Sequence, residues 1–198
     1  MSRRWNANSG AWESYTPVKR QYPSLSPDLE EQLSQIEPSR DGSTQYFPCA
    51  VTLSSGETID CVYLADADSY IRTWSVWPDE DSGKRAIQIE DVRAIRPSGK
   101  RLPYRFAQQM YTAGESGMGY SAFTLRFSDG SQQAYCTGNL VDFVPLPTGK
   151  STSDIAELHP HKGRGEHALK GFDYFWCLFR MPQKQTLMQR LGSIVRFS

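Results

Sequence analysis

The sequence lacks long apolar runs, a signal peptide and an excess of charge of either sign. No segment approaches the ~20 consecutive apolar residues that a transmembrane helix needs. The opening residues, MSRRWNANSG, have no apolar region behind their basic pair, as a secretory signal would. The 22 lysines and arginines balance the 22 aspartates and glutamates, so the chain as a whole has no general attraction for nucleic acid or anionic lipid. These absences predict a soluble, cytoplasmic protein without a membrane partner.

Cysteine is sparse, and its spacing indicates no paired function. The four cysteines form no CxxC motif and lie in apolar or strand-like contexts such as DCVYL and YFWCLF. A free cysteine behaves as a small buried hydrophobic residue. We therefore expect four reduced thiols in the core, at Cys49, Cys61, Cys136 and Cys177.

Residues 1–45 differ in composition from the rest of the chain. They are rich in Ser, Asn, Pro and Gln, and their aromatic residues are isolated, so they cannot bury enough apolar area to offset the entropy of ordering. The sequence predicts a flexible N-terminal arm over 1–45 and a β-rich globular domain over 46–198. Aromatic residues are enriched at protein interfaces. The arm's candidate partner-binding residues are therefore Trp5, Trp12 and Tyr15.

One short helix is expected inside this arm. Ser26 can cap it, Pro27 suits its first position, and Pro38 ends it. Its apolar face has the i, i+4, i+7 spacing of Leu29, Leu33 and Ile36. Two interpretations stay open: the helix docks on its own domain, or the arm becomes ordered only on a partner.

From Tyr46 the pattern becomes that of β-strands separated by Gly-containing turns. Strands are predicted in FPCAVTL, ETIDCVYL, YIRTWSVW, KRAIQI and EDVRAIRPS. This order of elements over residues 46–98 resembles the small five-stranded barrels of the Sm-like and Tudor-like kind. The resemblance implies an architecture and carries no function.

The second half of the chain predicts further hairpins and helices. A helix is expected in LPYRFAQQMYTAG, a hairpin in YSAFTLRF-SDG-SQQAYC, and strands in NLVDFVPL and YFWCLF. A C-terminal helix follows, with Leu187, Leu191, Ile194 and Val195 on one face. The expected class is mainly β (α+β), a small barrel or a sandwich of antiparallel hairpins with two or three short helices. Residues 46–198 form either one core, or a barrel over 46–98 and a second β unit over 100–198.

The three histidines lie within nine residues, in HPHKGRGEH. On an extended segment His159 and His161 share a face, and His167 could complete a zinc site that activates water for hydrolysis. Lys162 and Arg164 oppose a dication, which favours an exposed basic loop instead. The same two cations, with the neighbouring glycine amides, form a candidate anion-binding site.

Trp74 and Trp77 are candidate partner-binding residues in the first half of the chain. Together with Tyr63 and Tyr70 they could form an aromatic recess for a cation, because the ring faces attract positive charge. Acidic residues nearby would help such a recess. Core packing of one or both tryptophans is the alternative.

Two motifs that invite an enzymatic interpretation fail on their own requirements. PTGKST has Val144 where a phosphate-binding loop needs its first glycine, and GESGMG has Met118 where a nucleophile elbow needs its last. No catalytic residues are therefore assigned.

Charge is unevenly distributed along the chain. Residues 21–68 carry a net charge of −8, and residues 161–198 carry +5.

The leading hypothesis is a non-enzymatic protein-binding module, such as an inhibitor, an immunity factor or an assembly subunit, without a cofactor. The alternatives are a metal-dependent hydrolase that uses zinc at the histidines and a nucleic-acid-binding small barrel.

Overall fold

The computed structural model describes residues 2–6, 9–15, 20–163 and 173–181. Three α-helices lie in these described ranges: α1 (Pro27–Ser34), α2 (Ala67–Trp74) and α3 (Tyr104–Ala113). The strands are β1 (Ser2–Asn6), β2 (Ala11–Tyr15), β3 (Ser39–Asp41), β4 (Thr44–Leu53), β5 (Thr58–Asp66), β6 (Arg85–Ile87), β7 (Val92–Pro97), β8 (Ser121–Phe127), β9 (Gln132–Thr137), β10 (Ile155–His161) and β11 (Phe175–Phe179). The prediction of a mainly β fold is confirmed. None of the helices in the described ranges is long and apolar enough to cross a membrane.

A six-stranded sheet forms the centre of the fold. Its order is β3-β4-β5-β11-β6, and β7 pairs with β4 beside β3. β4 pairs antiparallel with both β5 and β7, whereas β11 runs parallel to both β5 and β6. The described strands do not close into a barrel, so the expected Sm-like or Tudor-like architecture is not confirmed. The position beside β5 is occupied by β11, which lies more than 100 residues further along the chain.

The predicted strand YIRTWSVW is wrong, because its first half belongs to α2. The Asp66 side chain accepts a hydrogen bond from the Ser69 backbone N–H at 2.9 Å and so caps the helix. Ser75 ends the helix in the left-handed conformation, with φ of 58°. The helix buries Ala67 and Tyr70. Aromatic and β-branched residues favour strands in general, and here the cap and the buried face outweigh that preference.

The second sheet combines the predicted β8–β9 hairpin with β10, a strand that the sequence pattern did not predict. Its order is β10-β8-β9, all antiparallel, and the β8–β9 hairpin turns at SDG with Gly130 at a φ of 84°. Helix α3 ends at Gly114 as predicted.

The predicted strand NLVDFVPL is wrong. Residues 139–146 are irregular, and their only bridge joins Phe143 to Arg101. The four consecutive residues 141–144 are all buried, and Pro145 cannot donate to a ladder.

The two faces of the central sheet carry two hydrophobic clusters. One cluster lies between this sheet and the three-stranded sheet, and it also includes α2 and α3. It contains residues from both predicted parts of the β-rich region, 46–98 and 100–198, such as Tyr63 and Phe123. The other cluster covers the opposite face and includes α1. All four cysteines are buried and free, as the sequence predicts, and burial raises the pKa of Cys61 to about 12.

Helix α1 has the predicted cap and packs on the sheet. Ser26 Oγ accepts a hydrogen bond from the Leu29 N–H, and Pro27 occupies the first helical position. Leu29, Leu33 and Ile36 are buried in the second cluster. Of the two interpretations left open by the sequence, the structure favours the helix docked on its own domain. The predicted C-terminal helix lies outside the described residues.

Candidate functional site

Strands β1 and β2 form a two-stranded sheet of their own, the N-terminal hairpin. In the described ranges they pair with each other, with Trp5 opposite Trp12 and Arg4 opposite Glu13. Gly10 provides the turn with a φ of 62°. Among the side chains that the structure describes, neither hydrophobic cluster includes Trp12. The Trp12 side chain is 59% exposed, so the hairpin presents a large aromatic surface to solvent.

Trp77, the second tryptophan of the predicted recess, packs against a segment that comes from the N-terminal region. Its ring lies 5.3 Å from that of Tyr22, and the Arg20 guanidinium lies 5.8 Å from its centre. Arg20 is also paired with Asp79 and Glu80. The hydrogen bond to Asp79 is the largest cause of a raised Arg20 pKa. A cation of the chain itself therefore covers Trp77.

Trp74 lies on α2 and not on a strand. Its ring stacks on that of Tyr70 at 6.3 Å and meets the buried ring of Trp176 at 5.8 Å. The Lys84 ammonium lies 4.5 Å from the centre of the Trp74 ring and pairs with Asp81 at 3.2 Å. The rings of Tyr63, Tyr70 and Trp74 all contact the Trp176 ring, whereas the Trp77 ring contacts Tyr22. The accessible cation position of this aromatic cluster is taken by Lys84.

A cavity of about 260 Å³ lies next to this aromatic cluster. Residues 20–23, Pro78, Asp79, residues 86–88 of the sheet edge, and Trp176 contribute to its wall. The Trp176 indole N–H is buried and has no hydrogen-bond partner in the described part of the chain. The wall mixes acids, amides and rings, and we assign no ligand to it.

The structure places two of the three histidines side by side on β10. His159 Nε2 lies 2.9 Å from a carboxylate oxygen of Glu157, and His161 Nε2 lies 2.7 Å from the Thr124 hydroxyl. His167 lies outside the described residues. Among the residues that the structure does describe, no three His, Cys, Asp or Glu side chains are placed to hold a metal ion. Lys162 of the candidate anion site is exposed, and Arg164 lies outside the described residues.

Sequence reasoning missed a buried polar network around Asp142. Its carboxylate accepts hydrogen bonds from Ser39 Oγ at 2.5 Å, Tyr111 OH at 2.6 Å and Arg101 Nε at 3.3 Å. Its backbone N–H donates to Tyr63 OH at 3.2 Å. Burial raises the pKa of Asp142. The one available signal was a lone acid inside the apolar run LVDFV.

The Asp142 network joins distant segments around a carboxylate that has no access to solvent. Asp142 is fully buried, and the groups that meet at it come from β3, β5, α3 and the segment before α3. A fully bonded, enclosed carboxylate fixes the packing of these segments.

Comparisons of the chain with protein-family models, with curated proteins and with solved structures find no match.

Proposed function

We propose that the protein is a non-enzymatic protein-binding module and that the β1–β2 hairpin is its docking element. The observation that carries the proposal is a Trp12 side chain that is 59% exposed on β2 of the N-terminal hairpin. Tryptophan is over-represented among the residues that dominate binding energy at interfaces. An inhibitor, an immunity factor or an assembly subunit would each use such an element.

The physics of a lone hairpin supports the same proposal. An isolated two-stranded hairpin is at best marginally stable in water, because it has little apolar area to bury. Its outer edges also carry backbone N–H and C=O groups that a partner strand can pair with. Docking on a partner would bury the Trp12 indole, and it would also supply hydrogen-bond partners for the backbone groups along one edge of the hairpin.

The test compares Trp12→Ala with Met118→Ala, in the full-length chain. Met118 is 98% exposed, so it is a matched apolar surface residue away from the hairpin. A partner captured from lysate by the unchanged chain is purified, and its affinity is measured by calorimetry. We expect Trp12→Ala to weaken binding about tenfold or more and Met118→Ala to leave it unchanged.

Thermal unfolding serves as the control for this experiment. Trp12 lies outside both clusters, so Trp12→Ala should keep the melting temperature of the unchanged chain. Equal partner affinity for the two variants would refute the hairpin as the docking element.

A further inference from the structure

An apolar groove runs beside α1, where β4 and β11 meet it. Its volume is about 230 Å³, and its apolar wall is formed by Leu25, Leu33, Phe47, Phe179 and Met181. Met181 is 40% exposed, an unusual state for a large apolar side chain on such a wall. Removing this surface from water is favourable, so the groove suits an apolar occupant.

The last described residues of the chain lie on the wall of this groove. Phe179, the last residue of β11, is part of the wall, and the Arg180 N–H donates to the Pro23 carbonyl at 3.0 Å. The Met181 N–H donates to an Asp66 carboxylate oxygen at 3.0 Å. The residues that follow Met181 therefore start from a fixed point on the groove wall.

The sequence after Met181 has the apolar pattern that the groove needs. Leu187, Leu191, Ile194 and Val195 follow the i, i+4, i+7, i+8 spacing of one helical face. Sixteen residues, 183–198, would form a helix about 24 Å long at 1.5 Å per residue. Such a helix would be twice as long as α1, which has eight residues.

Charge complementarity selects the same occupant. Residues 182–198 carry three bases and no acid, whereas α1 carries three acids and no base. One of those acids, Glu30, lines the groove together with Ser34. A basic amphipathic segment fits an apolar groove with an acidic lining residue.

We propose that residues 183–198 form a helix that docks its apolar face in the groove beside α1 of the same chain. The proposal uses other residues than the hairpin and does not depend on the proposed function. A second copy of the chain could supply the same segment, and the experiment below separates the two cases.

The test is a cross-linking comparison in the full-length chain with a bis-maleimide of about 10 Å span. One variant combines Ser34→Cys in the groove with Leu191→Cys on the apolar face. The control combines Ser34→Cys with Gln189→Cys, which is rotated by about 200° on a helix and has a similar tether. The four native cysteines are buried and should stay unmodified.

We expect the Leu191→Cys pair to link within one chain about tenfold faster than the control, because docking raises the effective concentration of the two thiols. Equal rates for the two pairs would overturn the proposal. A product of two linked chains would overturn it in favour of a second copy.

A stability comparison covers the case in which a cysteine variant does not fold. Leu187→Asp should lower the melting temperature by several degrees, whereas Gln189→Asp should leave it unchanged. Equal melting of the two aspartate variants would contradict a docked apolar face.

Discussion

Replacing Arg101 with methionine tests whether the buried carboxylate of Asp142 depends on its cation. The side chains of Arg101 and Asp142 are 11% and 0% exposed, and Arg101 Nε lies 3.3 Å from the carboxylate. Methionine keeps much of the apolar stem and removes the charge. The hydrogen bonds from Ser39 and Tyr111 stay in place. The variant therefore leaves a buried negative charge without a positive partner.

The expected loss of stability is large. Removing one partner of a buried ion pair costs about 3–5 kcal/mol, because the remaining charge is not compensated. We expect about 3 kcal/mol, since two hydroxyl groups still donate to Asp142. For a chain of this size, that loss lowers the melting temperature by roughly 6–12 °C. The matched control is Arg126→Met, because Arg126 and its partner Glu157 are 41% and 43% exposed, and it should melt like the unchanged chain.

The dependence on pH follows from the raised pKa of Asp142. Burial already raises this pKa above its ordinary value of 3.8, and loss of Arg101 raises it further. An acid with a raised pKa in the folded state binds its proton more tightly there than in the unfolded state. Its contribution to stability is then present at low pH and is lost as the pH rises through the folded-state pKa. The deficit of Arg101→Met should be largest near neutral pH and should shrink on acidification.

Urea unfolding at neutral and at acidic pH provides the measurement. The variants are Arg101→Met, Arg126→Met and the double variant Arg101→Met with Asp142→Asn. The amide has no charge to bury, so the double variant should recover part of the lost stability at neutral pH. The ion-pair reasoning is refuted if Arg101→Met and Arg126→Met have the same free energy of unfolding. It is also refuted if the stability deficit of Arg101→Met grows on acidification.

Two further predictions concern the helices. Leu33→Ala should destabilise the protein by about 2–5 kcal/mol in urea unfolding, because Leu33 is 6% exposed in the second cluster; a loss below about 1 kcal/mol would mean that α1 is not part of the core. Ser75→Gly should stabilise it by about 0.5–1 kcal/mol in the same assay, because Ser75 has a φ of 58° and glycine adopts that conformation without strain; a fall in stability would contradict this account of how α2 ends.

The elements that the sequence predicted correctly are those with strong local signals. Helix α1 has its cap, its proline and its apolar face within eleven residues, Ser26–Ile36. The β8–β9 hairpin alternates apolar and polar residues around a turn that needs glycine. Each of these signals is local, so tertiary contacts did not have to be known in advance.

The wrong prediction for α2 has a tertiary cause. Its aromatic and β-branched residues suit a strand as well as a helix. The ring of Tyr70 lies 4.7 Å from that of Trp176, more than 100 residues away in sequence. That contact gives the helix a partner that no local pattern reveals. The Asp66 cap is a local signal for the start of a helix, and the interpretation of YIRTWSVW as a strand overlooked it.

The position of β11 was beyond local reasoning for a related reason. The apolar run YFWCLF predicted a buried strand correctly, but a run buried on both faces does not specify its neighbours. In the structure it pairs in parallel with β5 and β6. That insertion places Trp176 in the first cluster and Cys177 in the second.

The aromatic recess shows why the sequence could predict chemistry without predicting a site. Tryptophan faces beside acidic residues do attract cations, and the structure contains those contacts. The cations are Arg20 and Lys84 of the same chain, and each is held by acids next to the rings. Composition and spacing indicate that tryptophan rings beside acidic residues attract a cation. Only the fold determines whether that cation comes from the chain itself or from a partner.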